Sequence, residues 1–255
     1  MATDNTERFS NRVADYVKYR PGYPSAMMHY LQSTFRLPQG AQVADVGSGT
    51  GISTELFLKE GYTVYAVEPN TAMREKATEL LGHYPLYREV AGTAEHTGLP
   101  AQSVDVIVAG QAFHWFQPAQ TRQEFARILK PNGIVVLVWN ERLTASAFES
   151  EYDQLIIRHG NDYVQVDHRN ISQENIEAFF SPCPVRYQVF GNEQVFDFEG
   201  LSGRLLSSSY MPSATDEGYP DMIRDLRRLF DRYQADGHIT IHYDTKVFTA
   251  ELSGL

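Results

Sequence analysis

The sequence predicts an α/β fold in which a doubly wound, mostly parallel sheet is covered by helices on both faces. Two observations lead to this prediction. Short runs rich in aliphatic and β-branched residues alternate with helical patterns through residues 41–140, as expected of successive βαβ units. The run at residues 134–139 is apolar throughout, which indicates a strand buried on both faces.

Five strands are predicted in the first half of the chain, each a short apolar run bounded by turn residues. They lie at residues 41–46, 63–67, 86–91, 104–109 and 134–139.

The helices between these strands follow from helix-start and helix-stop signals. A glycine-rich turn precedes a predicted helix at 51–60, and a second helix is predicted at 71–81. A third, at 118–129, begins with Pro118, whose fixed φ angle favours the first turn of a helix. The turn sequence at 130–133 predicts its end.

The flanking segments carry weaker patterns. Apolar residues at helical spacing predict a helix at 6–19, which a stiff proline-rich turn at 20–24 ends. Alternating residues at 239–248 predict a final, half-exposed edge strand. The segment before it is expected to hold helices at 148–159, 173–180, 200–208 and 217–234 and a strand at 185–190.

Composition excludes several classes of partner. The 255-residue chain has 22 Lys and Arg against 32 Asp and Glu, a net charge of −10, with no basic stripe. Such a protein repels phosphate backbones, so nucleic acid is not an expected partner. We expect no signal peptide, because residues 1–16 contain early acids and no apolar core segment. We expect no membrane association, because no apolar run approaches the length of a bilayer span. A single cysteine, Cys183, agrees with a cytoplasmic protein.

A glycine-rich turn follows the first predicted strand, at residues 47–51. Glycine permits the backbone to approach a ligand closely, and the helix start that follows favours negative charge. A dinucleotide-binding turn needs a small residue where this chain has Ile52, and no Gly-Lys-Ser/Thr phosphate loop is present. The second strand ends in Glu68, a carboxylate able to accept from both ribose hydroxyls of an adenosine.

These features resemble class I S-adenosylmethionine-dependent methyltransferases. The N-terminal residues 16–24 additionally resemble the trans-aconitate methyltransferase-like branch of the type 11 methyltransferases. The segments similar to five family motifs are residues 45–51, 68–69, 92–100, 103–115 and 127–133.

The resemblance implies a seven-stranded, Rossmann-like sheet with S-adenosyl-L-methionine as cofactor and S-adenosyl-L-homocysteine as product. It implies one domain over 1–255, composed of an N-terminal lid helix segment (1–24), a cofactor-binding core (41–140), a helical C-terminal cap that forms the acceptor region (141–235) and a terminal edge strand (236–255). The implied cofactor-binding residues are Tyr16, Arg20, Asp45, Gly47, Ser48, Gly49, Gly51, Glu68, Pro69, Met73, Thr93, Ala94, Glu95 and Gln111.

Five of these positions have specific expected roles. Arg20 would pair with the methionine carboxylate of the cofactor, and Asp45 would accept from its amino group. Many relatives carry an Asp near the adenine where this chain has Gly92 and Thr93, so adenine recognition is expected to fall to backbone groups of Thr93 and Ala94 or to Glu95.

His114, just past the fourth strand, is the candidate base or acceptor-orienting residue. An imidazole could take a proton from a hydroxyl or an acidic carbon, whereas a carboxylate acceptor is already ionised at pH 7 and needs no base. Transfer to nitrogen, carbon or a hydroxyl of a larger molecule therefore stays open, as does a non-catalytic module that only binds the cofactor.

The acceptor is expected to be a small molecule, most simply a carboxylic acid methylated at oxygen, because arginine binds carboxylates bidentately. Arg204 lies in the predicted cap segment, 141–235, which also contains most of the candidate acceptor-binding residues. We expect a monomer or weak homodimer and no metal site, since His159 and His168 lack ligand spacing. Candidate acceptor-binding residues are Trp115, Arg142, Tyr163, His168, Arg169, Ser208 and Tyr210.

Overall fold

The computed structural model describes residues 18–161, 173–208 and 210–252. The described helices are α1 (Ser25–Phe35), α2 (Ile52–Lys59), α3 (Thr71–Leu81), α4 (Pro118–Ile128), α5 (Ala147–His159), α6 (Gln173–Phe180), α7 (Phe198–Leu206) and α8 (Tyr219–Tyr233). The strands are β1 (Gln42–Val46), β2 (Thr63–Val67), β3 (Tyr87–Val90), β4 (Val104–Gly110), β5 (Leu129–Arg142), β6 (Arg186–Phe196) and β7 (Ile239–Glu251).

All seven strands belong to one sheet, in the order β3-β2-β1-β4-β5-β7-β6. The pairs β1–β2, β2–β3, β1–β4 and β4–β5 are parallel. The order reverses at β1, which has β2 on one side and β4 on the other. The predicted doubly wound, mostly parallel sheet of seven strands is confirmed, and its switch point lies between β1 and β4, where such sheets bind ligands.

The chain divides into two compact units. The motif unit comprises Gly22–Asn140, Ile171–Phe190 and Thr245–Leu255. The second unit comprises Met1–Pro21, Glu141–Asn170 and Gly191–Asp244. The proposed division into lid, core, cap and terminal strand stays a prediction.

Successive side chains of the central strands pack on opposite faces of the sheet in the motif unit. Ala44 of β1 joins a cluster with Phe125 of α4 and Phe180 of α6. Val43, its neighbour, joins another cluster with Phe57 of α2 and residues of α1. Because both faces are covered, the strands carry apolar residues at nearly every position, which is the pattern that predicted them.

The second unit has its own core, formed by α5, α7, α8 and the first half of β7. The apolar residues of α8 recur at helical spacing, and Leu226 and Phe230 pack with Leu201 of α7 and Tyr152 of α5. No described helix is long and apolar enough to cross a membrane.

The prediction that residues 239–248 form an edge strand is wrong. β7 lies between β5 and β6, and β6 forms the edge. Most β6 residues are exposed, whereas β7 buries Ile239, Ile241 and Tyr243. Alternation in a sequence reports which face of a strand is buried and carries no information on whether both edges have a partner.

Two other elements differ from expectation, and a third lies mostly outside the described residues. Helix α1 has no counterpart in the predicted elements; it follows Pro24 and buries Met27, Met28 and Leu31. β5 begins at Leu129, and the expected turn at 130–133 is an irregularity within the strand, where Asn132 has φ 65° and the register with β4 shifts. Of the helix predicted at 6–19, only Lys18 and Tyr19 are among the described residues, and both are helical.

Candidate functional site

The glycine loop, residues 47–51, joins the end of β1 to the start of α2. Gly47 has φ +70° and Gly51 has φ +92°, conformations that favour glycine. A Cβ atom on Gly47 would lie 2.7 Å from the Cβ of Ala112. The backbone N–H groups of Gly47 and Ser48 both donate to the carbonyl of Val67, at 2.8 and 3.2 Å. The loop is thereby held against the end of β2.

Glu68 directly follows β2 and contacts the glycine loop. Its Oε2 accepts from the N–H of Gly49 at 3.0 Å, and its Oε1 accepts from the N–H of Asn70 at 2.9 Å. The side chain is 9% exposed, and burial raises the pKa of its carboxyl. Each carboxylate oxygen retains lone pairs beyond these bonds, so Glu68 can still accept from hydroxyl donors such as those of a ribose.

Asp45 of β1 is fully buried beneath the loop. Its Oδ2 accepts from the hydroxyls of Ser53 and Thr54, at 2.7 and 2.6 Å. Burial raises the pKa of Asp45 to about 6, against the opposing effect of these hydrogen bonds, and the charge of Glu68 adds to the rise. The other oxygen, Oδ1, has no hydrogen-bond partner among the described residues. A buried carboxylate oxygen of this kind is suited to a ligand that brings a donor.

Gln111 directly follows β4, the strand beside β1, and has a left-handed conformation with φ 54°. Its N–H donates to the carbonyl of Val138 at 2.9 Å, and its Nε2 donates to the carbonyl of Asn140 at 3.4 Å. Its Oε1 is buried without a partner in the described part of the chain. A strained backbone that presents an unsatisfied acceptor is typical of a functional site.

Two buried hydroxyls of the loop, those of Ser48 and Thr50, also lack partners among residues 18–161, 173–208 and 210–252. Asn70 caps α3 by accepting from the N–H of Met73 at 3.0 Å. Met73 lies beside the loop, with its Sδ 3.6 Å from where a Cβ of Gly49 would be. The carbonyl of Pro69 accepts from Arg74 at 2.7 Å. These residues line the loop on the β2 side.

The segment after β3 is tied to α4. The backbone groups of Thr93 and His96 bond to each other, at 3.0 and 3.3 Å, and Ala94 is buried. Glu95 accepts from the N–H of Gln117 at 2.8 Å and from the hydroxyl of Thr121 at 3.4 Å. Burial acts to raise the pKa of Glu95, but these hydrogen bonds hold it below its usual value. The carboxylate thus caps the start of α4, whatever further role it has toward an adenine.

His114 lies in a single 3₁₀ turn, Phe113–Trp115, immediately past the end of β4. Its ring centroid is 4.7 Å from that of Trp115, which is 37% exposed. His114 therefore lies on the same strand end as Gln111.

The remaining predicted site residues belong to the second unit. Arg20 donates through Nη2 to the carbonyl of Ser207 at 3.0 Å. Arg142 pairs with Asp153 and lies over the ring of Tyr152. Ser208 is buried near Arg204, and Tyr210 packs against the core of this unit. Tyr16, Tyr163, His168 and Arg169 lie outside the described residues.

Sequence reasoning missed several residues that the structure brings to these sites. Ser53 and Thr54 bond to Asp45, and their position in the first turn of the helix after the loop was an available signal. Tyr23 carries a hydroxyl 2.5 Å from where a Cβ of Gly110 would be, at the end of β4. Nothing in the sequence indicates that contact.

A metal site finds no support in the described residues, none of which form a group of three ligands. His159 instead contacts Asp225 at 3.0 Å. His168, with Asp162 and Asp167, lies outside the described part.

Comparison with known proteins agrees with this geometry. A family model for a methyltransferase domain matches residues 44–137. An uncharacterized methyltransferase of Mycobacterium tuberculosis is 35% identical over 159 residues, which cover 62% of each chain. The chain thus spans less than two thirds of the length of that relative. An uncharacterized methyltransferase-like protein of Schizosaccharomyces pombe is 26% identical over 249 residues, covering 95% of this chain and 94% of the other.

Solved structures share the fold. A type II methyltransferase candidate from Anaeromyxobacter dehalogenans has a TM-score of 0.67 at 21% identity, covering 93% of this chain and all of the other. Phosphoethanolamine N-methyltransferase 2 of Haemonchus contortus, solved with S-adenosyl-L-methionine, has a TM-score of 0.59 at 17% identity, covering 98% of this chain and 59% of the other. Residues 44–137 of this chain are therefore similar to the methyltransferase domain family, and the chain shares the Rossmann-like fold of these solved structures.

Proposed function

We propose that the protein transfers the methyl group of S-adenosyl-L-methionine to a small-molecule acceptor, and that the acceptor is a small carboxylic acid methylated at oxygen. The observation that carries the cofactor assignment is the group formed by the glycine loop, Glu68 and the unsatisfied Oδ1 of Asp45 at the ends of β1 and β2. The family match over residues 44–137 supports the reaction class.

The residues present suit each part of this cofactor. Asp45 and Gln111 each present a buried oxygen without a partner in the described chain, which suits the ammonium group of the methionine moiety. Glu68 would accept from the ribose hydroxyls, and the absence of side chains at Gly47 and Gly49 allows the backbone to approach. When bound, the cofactor supplies an electrophilic methyl group on a sulfonium centre. The protein's contribution is then to position the acceptor and exclude water.

Calorimetric titration with S-adenosyl-L-homocysteine tests the cofactor assignment. We expect the wild type to bind, and Glu68→Ala to lose about 1–3 kcal/mol of binding free energy, because hydroxyls of the ligand are left without an acceptor. The control is Glu79→Ala, an exposed acid of α3 that pairs with Lys76. No binding by the wild type would overturn the proposal, and equal affinities of the two variants would remove Glu68 from the site.

The class of acceptor is inferred from whether its attacking atom must lose a proton before it is methylated. A carboxylate is ionised at pH 7 and attacks a methyl group without losing a proton, so no base is required. A hydroxyl, nitrogen or carbon acceptor must usually be deprotonated, and His114 is the described residue best placed at a strand end for that role. The partner class that follows is a small molecule, with the net charge of −10 arguing against nucleic acid.

Replacing His114 separates the two acceptor classes. With a carboxylic acid as substrate, we expect His114→Ala to change kcat by less than about tenfold and turnover to be flat from pH 5.5 to 8. With a hydroxyl acceptor, loss of a general base should reduce kcat by about 10²–10⁴-fold and remove a titration from the wild-type profile. His83→Ala is the control, since His83 is exposed and contacts Tyr84. If no acceptor releases S-adenosyl-L-homocysteine, the protein is a non-catalytic binding module.

A further inference from the structure

We propose that Arg204 binds a carboxylate group of the acceptor, and that the side chains around it form an anion-binding site within the second unit. This inference rests on the function proposed above. It goes beyond that function by assigning acceptor recognition to one residue and its neighbours.

Arg204 is a buried cation whose described contacts are all neutral. It lies on α7 and is 7% exposed. Its Nε donates to the hydroxyl of Tyr243 at 3.2 Å, and its Nη1 donates to the hydroxyls of Ser207 and Ser208, each at 3.4 Å. No carboxylate among the described residues forms an ion pair with it.

This arrangement is energetically unfavourable without a counter-ion. A guanidinium stays protonated at any pH a protein tolerates, so it cannot relieve burial by losing its charge. Long hydrogen bonds to neutral hydroxyls replace only part of its hydration. Two acids of α5 in the same unit have other partners: Asp153 pairs with Arg142, and Glu149 accepts from Ser146 and His242. The charge of Arg204 therefore calls for an anion from outside the described chain.

Other positive charges adjoin the same place. Arg20 donates to the carbonyl of Ser207, whose hydroxyl accepts from Arg204. Burial raises the pKa of Tyr152 to about 12, and the charges of Arg204 and Arg142 both act on its phenol in the opposite direction. A protein of net charge −10 thus places Arg20 and Arg204 on either side of Ser207, whereas the charge of Arg142 is offset by Asp153. This local field favours entry of an anionic group.

The neighbours of Arg204 also fix its orientation. The Tyr243 hydroxyl donates to Oε1 of Gln194 at 2.9 Å, so its oxygen lone pairs are directed to Arg204. The Ser207 hydroxyl donates to the carbonyl of Arg204 at 2.7 Å, and likewise offers only lone pairs to the guanidinium. With Nε and Nη1 engaged in this way, the two N–H groups of Nη2 remain to donate to a carboxylate.

The test measures thermal unfolding with sodium acetate, succinate and benzoate as probes, against sodium chloride of equal ionic strength and against the neutral methyl esters. We expect at least one acid to raise the Tm of the wild type with increasing concentration, while its methyl ester does not. Arg204→Met should abolish this shift. Arg204→Lys, which keeps the charge and loses the fork, should weaken the apparent affinity by about tenfold. The control is Arg224→Met, which should respond to the acids as the wild type does. Arg224 is an exposed residue of α8 that pairs with Asp221.

Stability without ligand separates binding from a structural role. Removing a buried charge that lacks a counter-ion should leave the Tm of Arg204→Met equal to or above that of the wild type. The proposal is overturned if the Tm of Arg204→Met lies below that of the wild type and the acids stabilise Arg204→Lys as much as they stabilise the wild type. Arg204 would then be a structural residue. The proposal is equally overturned if no acid stabilises the wild type, if Arg204→Met keeps the shift, or if inorganic phosphate stabilises and the acids do not.

A second titration distinguishes failure of the Arg204 assignment from failure of the cofactor proposal. The same wild-type preparation is titrated with S-adenosyl-L-homocysteine. Acid binding without binding of this ligand would overturn the cofactor assignment and leave the anion site at Arg204 standing without its role toward a methyl acceptor. Binding of S-adenosyl-L-homocysteine without stabilisation by any acid would overturn the Arg204 assignment and leave the cofactor assignment standing.

Discussion

Asp45→Asn is expected to stabilise the ligand-free protein at pH 8 by up to ~3 kcal/mol, and at the same time to weaken its binding of S-adenosyl-L-homocysteine. Burial raises the pKa of Asp45 from 3.8 to about 6. Between these values the folded protein holds a proton that the unfolded chain has lost. The free energy of unfolding therefore falls as the pH rises through this window, and the loss is complete above pH 6.

The measurement is denaturant unfolding of the wild type and Asp45→Asn from pH 4 to 8, with calorimetry of ligand binding at pH 8. The asparagine can still accept from Ser53 and Thr54, so the difference between the two curves reports the buried charge. Asp105→Asn is the control on β4, because Asp105 pairs with Lys130 and should lose stability when neutralised. A stability difference between the wild type and Asp45→Asn that does not vary between pH 4 and 6 would contradict the assignment.

Gly47→Ala is expected to lower the free energy of unfolding by about 2–4 kcal/mol and to reduce ligand binding below detection. Two effects combine. A non-glycine residue at φ +70° is strained, and the new Cβ would lie 2.7 Å from the Cβ of Ala112. The overlap can be relieved in two ways: the loop moves away from the end of β2, or Ala112 shifts beyond the end of β4. Both changes alter the group around Asp45.

Two further variants separate the backbone strain at positive φ from the overlap between the new Cβ and Ala112. Gly40→Ala places the same residue at φ +73°, where nothing lies within 4 Å of the new Cβ, so it should lose only about 1–2 kcal/mol. The double variant Gly47→Ala/Ala112→Gly removes the overlapping atom and should recover part of the lost stability. Equal losses for Gly40→Ala and Gly47→Ala, measured by denaturant unfolding, would show that the approach to Ala112 is unimportant.

Much of the motif unit could be predicted because its signals are local. Buried parallel strands require nearly continuous apolar runs, and Pro118 and the glycine loop mark helix starts. The sequence does not predict α1, since its short apolar stripe follows a proline-rich turn that indicates only the end of the preceding helix. The place of β7 inside the sheet could not be predicted, because strand neighbours depend on long-range pairing that alternation does not encode.

For the site, the strand-end rule correctly brought Glu68 and the glycine loop together. It could not supply the left-handed backbone of Gln111, which depends on the bonds that this residue makes to Val138 and Asn140. Nor could it distinguish the arginines. Arg142 has a described carboxylate partner in Asp153 and Arg204 has none, and that difference follows from tertiary packing alone.

The carbonyl of Val67 accepts from both Gly47 and Ser48, and Glu68 is the next residue in the chain. We therefore expect a displacement of the loop to be transmitted through one peptide unit to the carboxylate of Glu68, which is proposed to bind the ribose, and the reverse also holds. Together with the bond from Gly49 to Glu68, these hydrogen bonds join the two parts of the proposed cofactor site before any ligand arrives. Little conformational entropy then remains to be lost on binding, so the affinity of the site depends mainly on the contacts themselves.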